Sequence, residues 1–156
     1  MSRELEDIKA SISNNLRVSF VSGKFNVIHP GHIRLFRFAR EISDYLVVGI
    51  FRDGSSDDLV IEEEERLEGV TSNTWVDAAF ILREDLTSTI KNLRPDIVVK
   101  GTEHETGDNP ELAAVEEYGG VVHFASGNTS FSSLELLRSE IGTSRNGLMG
   151  HADRYL

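Results

Sequence analysis

Residues Val18 to Ala39 read VSFVSGKFNVIHPGHIRLFRFA, and the order of residue types in that stretch decides the fold. A β-branched, apolar run closes on Ser22-Gly23, and two histidines follow as His29-Pro30-Gly31-His32. Apolar residues at Ile33, Leu35, Phe36, Phe38, Ala39 and Ile42 then recur at helical spacing. Such a segment is a strand, a turn and a helix that opens at the histidines.

The same alternation extends outward. Leu5, Ile8 and Ile12 give residues 2–14 the spacing of a short amphipathic helix that braces the domain from outside. The first strand spans Leu16 to Gly23. DYLVVGIF, from Asp44 to Phe51, is a near-continuous apolar run of the kind buried on both faces of a parallel sheet. Arg52 to Asp58 is polar and predicts a mobile loop. Beyond it come a charged helix over residues 60–73, a strand over Val76 to Leu82, a helix over Leu86 to Leu93 and a strand over Asp96 to Lys100. A helix over Pro110 to Tyr118, a strand over Gly120 to Phe124 and a helix over Ser132 to Ile141 complete the pattern. Strand and helix alternate about five times, which predicts an α/β fold with an open parallel sheet and helices on both faces. The expected division is an N-terminal helix over 1–15, one domain over 16–141, and a C-terminal tail over 142–156 for which three readings stand open: packing on a partner, staying loose, or leading into a further domain.

Composition narrows the chemistry. The chain has 156 residues, 39% of them hydrophobic, enough for one core without metal or disulfide staples. A net charge of −10 argues against broad nucleic-acid binding, which needs clustered Lys and Arg to displace counterions. The absence of cysteine excludes disulfides, thiolate zinc sites and a Cys nucleophile. With no apolar N-terminal signal segment and no run of about 18 apolar residues, a cytoplasmic protein without a membrane span is expected.

Ligands of open α/β sheets sit outside the carboxyl ends of the strands. There the strand assignments gather Gly23, Lys24, Asn26, His29 and His32 after the first strand, and Asp53 after the second. Lys100, Gly101 and Glu103 follow the fourth, and Gly127 to Ser133 the fifth. Two histidines at a helix start suit a phosphate, because the helix N–H groups and dipole lie beside them. Imidazoles partly protonated near neutral pH would donate to its oxygens. The pair also reads as a helix cap with one ring buried against the sheet; zinc lacks an evident third ligand. Lys100 would emerge at a strand end, with Gly101 allowing close backbone approach. Ser130, Ser132 and Ser133 suit an N-cap, a phosphate contact, or both. Arg66, at the end of an acidic run, either reaches a phosphate or lies on a solvated helix face.

The stretch GKFNVIHPGH resembles the G-x-F-D-x-x-H-x-G-H signature of the cytidylyltransferase-like nucleotidyltransferases. That family includes glycerol-3-phosphate cytidylyltransferase and the nucleotidyltransferase domain of the bifunctional heptose-phosphate enzyme. The likeness runs from Arg17 to Ile141: Glu65-Arg66 resembles the family's E-R pair, RPDIVVKG its P-D-x-x-V-K-G strand, and SFSSLELL its I-S-T-T helix start. The resemblance implies a Rossmann-like fold, a nucleoside triphosphate (CTP preferred to ATP), Mg²⁺ with no assigned ligands, and attack by a phosphorylated sugar or polyol with loss of pyrophosphate. It assigns catalysis to His29 and His32, with Lys24 as an added phosphate contact. Nucleotide binding falls to Gly23, Phe25, Asn26, Gly31, Arg66, Lys100, Gly101, Glu103, Ser130, Ser132 and Ser133. By analogy the chain is a homodimer that engages neither nucleic acid nor membrane.

The chain also departs from the family. Asn26 replaces an Asp, Lys24 a small or polar residue, Leu134 a second Thr and Gly127 an Arg, and the segment from Arg52 to Glu62 has no Lys. The changes at Asn26 and in the Lys-free segment favour a rival reading, a nucleotide-binding sensor or interaction module that has lost the chemistry, and the retention of both histidines, Lys100, Ser132 and Ser133 disfavours it. A class I aminoacyl-tRNA synthetase fragment, with its similar H-I-G-H motif, is disfavoured by the acidic charge, the small size and the lack of a K-M-S-K-S-like segment.

Overall fold

The computed structural model of the chain describes residues 1–101 and 107–125. Within them five parallel strands form one sheet: β1 (Val18–Gly23), β2 (Tyr45–Phe51), β3 (Ala78–Leu82), β4 (Ile97–Gly101) and β5 (Val121–Ala125), in the order β3-β2-β1-β4-β5. Five helices alternate with them: α1 (Arg3–Ser11), α2 (Pro30–Glu41), α3 (Glu63–Thr71), α4 (Leu86–Leu93) and α5 (Glu111–Glu117). This is the α/β, Rossmann-like open sheet that the alternation predicts. The expected helix over Ser132 to Ile141 and the tail lie outside the described residues.

Strand periodicity sorts the core into two layers. On one face Phe20, Val47, Phe80 and Val98 meet Leu5 of α1, Ile90 and Leu93 of α4, and Ala114 and Val115 of α5. On the other, Val21, Val48, Ile50 and Val99 meet Phe36 and Ala39 of α2 and Val70 of α3. Successive residues of one strand serve opposite faces, so β2 is a near-continuous apolar run, as are Phe20-Val21 of β1 and Ile97 to Val99 of β4. The edge strand β5 keeps the alternating exposure of a strand covered on one side.

Several elements are shorter than their periodicity suggests, and side chains at their ends show why. Ser2 caps α1, and Ile12 has already turned extended. β3 starts at Ala78 rather than Val76, because Asp77 turns its carboxylate to the Leu46 N–H (2.8 Å) and to Arg40 Nε (2.8 Å). Asp96 accepts from the Val18 N–H in the same way (2.8 Å). Asp96 thereby satisfies the first amide of β1, and Asp77 the second amide of β2.

The order of the strands makes the site. From β1 the chain winds to β2 and β3 on one side, then crosses to β4 and β5 on the other, so the winding reverses between β1 and β4. The β1–β4 ladder holds only at Ser19↔Ile97 and Phe20↔Val98. Beyond it each strand continues to pair outward, β1 with β2 as far as Gly23 and β4 with β5 as far as Gly101. The carboxyl halves of β1 and β4 therefore part and open a crevice.

Candidate nucleotide site

The crevice is a cleft of about 420 Å³. Ser22, Gly23, Lys24, Phe25, Asn26 and Val27 line it from β1 and the turn, Val99, Lys100 and Gly101 from β4, and His32 from α2, with Leu35, Phe51 and Leu86 as apolar walls. The volume is in the range of small-molecule and cofactor sites.

The turn after β1 sets the geometry. Phe25 adopts a left-handed backbone, φ 54°, and folds its buried ring back over Gly23. A Cβ at Gly23 would lie 2.8 Å from that ring. The ring also meets His32 edge-on at 5.3 Å and Phe36 at 5.4 Å. Gly23 is thus a steric requirement of the site.

The two histidines cap α2 for each other. His29 Nδ1 accepts from the Gly31 N–H (3.0 Å), and His32 Nδ1 accepts from the His29 N–H (3.3 Å). Their rings stack with centroids 3.8 Å apart. An accepting Nδ1 carries no proton, so each neutral ring holds its hydrogen on Nε2. The capping and ligand-binding readings of the pair are therefore compatible: Nδ1 caps the helix and Nε2–H remains as a donor. The expectation of partly protonated rings is corrected. Burial first, and then the neighbouring His29, lower the His32 pKa to about 4, although the nearby Val27 carbonyl acts in the opposite sense. Burial lowers His29 as well. Without ligand, His32 is a neutral donor at pH 7.

The cations expected at phosphates have protein partners. Lys24 Nζ lies on both oxygens of Asp58 (3.0 and 2.8 Å). Lys100 Nζ bonds Asn109 Oδ1 (2.6 Å) and the buried carboxylate of Glu111. The Arg66 side chain is fully buried. It donates to the carbonyls of Ile61 (2.8 Å), Lys24 (2.7 Å) and Phe51 (2.6 Å) and to Asp53 Oδ1 (3.1 Å). Arg66 thus ties the β1 turn, the end of β2 and the following loop into one unit.

Asn26 Nδ2 donates to the Asp58 carbonyl (2.7 Å), and its Oδ1 accepts from the Val60 N–H (3.1 Å). The segment after β2, expected to be mobile, is thereby tied at several points. Glu103, Ser130, Ser132 and Ser133 lie outside the described residues, as does Gly127. The cleft walls Ser22, Val27, Leu35, Phe51 and Leu86 were missed in the sequence; the carboxyl-end rule alone points to Phe51, the last residue of β2.

Among the described residues no group of three His, Asp or Glu could hold a metal ion. Asn26 stands at the family's carboxylate position and spends its oxygen on the loop. These residues do not make a protein-built Mg²⁺ site. A magnesium ion here would rely on the triphosphate's own oxygens.

Comparison with known proteins identifies the family. The cytidylyltransferase-like family model matches residues 20–143. The chain is 31% identical over 142 residues to the bifunctional protein HldE of Geotalea uraniireducens, covering 85% of this chain and 29% of that protein. It is 36% identical over 114 residues to HldE of Syntrophotalea carbinolica, covering 67% and 23%. The chain therefore spans less than a third of the length of either relative. The crystal structure of a lipopolysaccharide core biosynthesis protein from Thermoplasma volcanium shares the fold, with a TM-score of 0.61 at 21% identity over 71% of this chain and 98% of that one. With the paired histidines at the split between β1 and β4 and a family match over most of its length, the chain belongs to the cytidylyltransferase-like family of nucleotidyltransferases.

Proposed function

We propose that the cleft binds a nucleoside triphosphate, CTP ahead of ATP, and transfers its nucleotidyl group to a small phosphorylated sugar or polyol. An oxygen of the acceptor phosphate attacks the α-phosphorus; the new P–O bond forms as the bond to the β-phosphate oxygen breaks, and pyrophosphate leaves. The observation that carries this reading is the stacked His29–His32 pair at the start of α2, with the His32 ring lining the crevice between the two strand ends that part. His29 and His32 donate from Nε2 to phosphate oxygens beside the N-terminus of α2, stabilising charge as it builds up. Gly101 allows close backbone approach, and Gly23 makes room for the Phe25 ring. Glu103, Ser130, Ser132 and Ser133 contribute to base, ribose and phosphate binding as the family resemblance implies. Magnesium, if bound, would be held by the triphosphate's own oxygens and would supply charge neutralisation there. Phosphoryl chemistry of this kind asks mainly for positioning and electrostatics, and such a site supplies both.

Among the described residues no helix is long and apolar enough to cross a membrane. A cytoplasmic homodimer acting on small molecules completes the proposal.

One observation favours a non-catalytic nucleotide-binding module instead: Lys24, Arg66 and Lys100, all expected at the nucleotide, are engaged by the protein itself. Thermal-shift titration with CTP, ATP, GTP and UTP, with and without Mg²⁺, tests binding. Pyrophosphate release across a panel of sugar and polyol phosphates tests transfer. Binding without release with any acceptor identifies the module; no shift with any triphosphate refutes both readings.

A further inference from the structure

The two residues by which the β1 turn departs from its family act together. Lys24 contacts both oxygens of the Asp58 carboxylate, and Asn26 holds the backbone just after that contact, donating to the Asp58 carbonyl and accepting from the Val60 N–H. Asn26 needs an amide to do this. An aspartate could accept from Val60, but it would set a carboxylate oxygen against the Asp58 carbonyl oxygen, 2.7 Å from the atom it replaces. Ser56 adds its hydroxyl to the Asp58 carboxylate. The strap from Ser56 to Ile61 is therefore tied to two residues that line the cleft, Lys24 and Asn26.

We propose that this is an exchangeable clasp. Asn26 is a positioning residue that seats the strap, and Asp58 holds Lys24 until the phosphates of an incoming nucleotide take its place. The inference rests on the nucleotide-site reading and adds to it a charge exchange at one named ion pair. Both partners are accessible, with side-chain exposures of 43% for Lys24 and 62% for Asp58. An exposed pair is weak enough for a multiply charged anion to displace. Lys100 differs: its partner Glu111 is 2% exposed, and exchange there would strand a buried carboxylate.

The test measures binding of inorganic tripolyphosphate, and of CTP, to the full chain and to three folded variants. Asp58→Asn removes the competing carboxylate and should tighten tripolyphosphate binding by about two- to fivefold, the competition expected of an exposed ion pair. Asp57→Asn makes the same change of charge one residue away, outside the clasp, and should tighten it by clearly less. Equal gains in the two variants, or no gain in Asp58→Asn, overturn the exchange while leaving the nucleotide site intact. If the unaltered chain binds neither probe, the nucleotide-site reading falls and takes the clasp with it. Asn26→Asp restores the family residue but removes the donor to the strap, so proteolytic nicking within residues 52–62 should become faster. An unchanged nicking rate overturns the role given to Asn26.

Discussion

The imidazole of His29 lies on that of His32, centroids 3.8 Å apart and planes 21° from parallel, while the Nδ1 of each ring accepts a main-chain amide of the same helix start. Helix capping thereby selects the tautomer. The rings are held by the backbone they terminate, so their Nε2 donors are placed before any ligand arrives.

Replacing either ring should remove a donor to the transition state together with part of the cap. His32→Ala is expected to lower kcat for pyrophosphate release by about 10²–10³-fold, the range for loss of one oxyanion-type donor. Steady-state kinetics with the best triphosphate and acceptor decide it. Turnover within a few-fold of the unaltered enzyme would remove His32 from the mechanism.

The depressed histidine pKa values predict an acid limb in stability. His32 titrates at about 4 in the folded chain against 6.5 when unperturbed, and His29 is shifted the same way. Across that window the unfolded chain binds more protons, so stability is complete above about pH 6.5 and declines as pH falls toward 4. Asp58 and Asp85 have pKa values lowered from 3.8, mainly by hydrogen bonds from Lys24 and Ser88 respectively, and their contributions are lost only at still lower pH. Urea melts at half-unit pH intervals should show the decline, and His32→Gln should flatten it. An identical slope in the variant would locate the effect elsewhere.

Arg66 should matter more to folding than to charge at the phosphates. Arg66→Met leaves the carbonyls of Lys24, Phe51 and Ile61 without their donor and is expected to cost at least about 3 kcal/mol. Equilibrium denaturation measures this directly. A loss of activity at unchanged stability would show instead that the guanidinium reaches the substrate.

Gly23→Ala tests the turn. The added methyl would sit 2.8 Å from the Phe25 ring, which itself meets His32. The expected cost is about 1–3 kcal/mol, typical of overpacking, together with weaker triphosphate binding as the ring moves from its histidine neighbour. Full stability and unchanged affinity would mean that Phe25 has another place to go.

Much of the architecture is legible along the chain because it depends on near neighbours. The apolar run of β2, the helical spacing after His32 and the Arg94-Pro95 break before β4 each report on a few consecutive residues. Element ends are less legible. β3 starts late because Asp77 serves β2, and the charged helix expected over residues 60–73 shortens to Glu63–Thr71. At the site, the sequence identifies the histidines, Lys100 and the glycines as residues of interest without showing their partners.

The sequence by itself determined the alternation of strand and helix, the histidine motif and the family, since periodicity, turn chemistry and motif spacing are short-range properties of a chain. Only the tertiary structure decided that β1 and β4 part beyond Phe20 and Val98, and which partner each charged group takes. Lys24 finds Asp58 across 34 positions, and Arg66 finds the Lys24 carbonyl across 42. A cation in a sequence has many anions and carbonyls within reach of a flexible chain. The packed sheet alone sets which of them stand at hydrogen-bonding distance, and therefore which charges remain for a ligand.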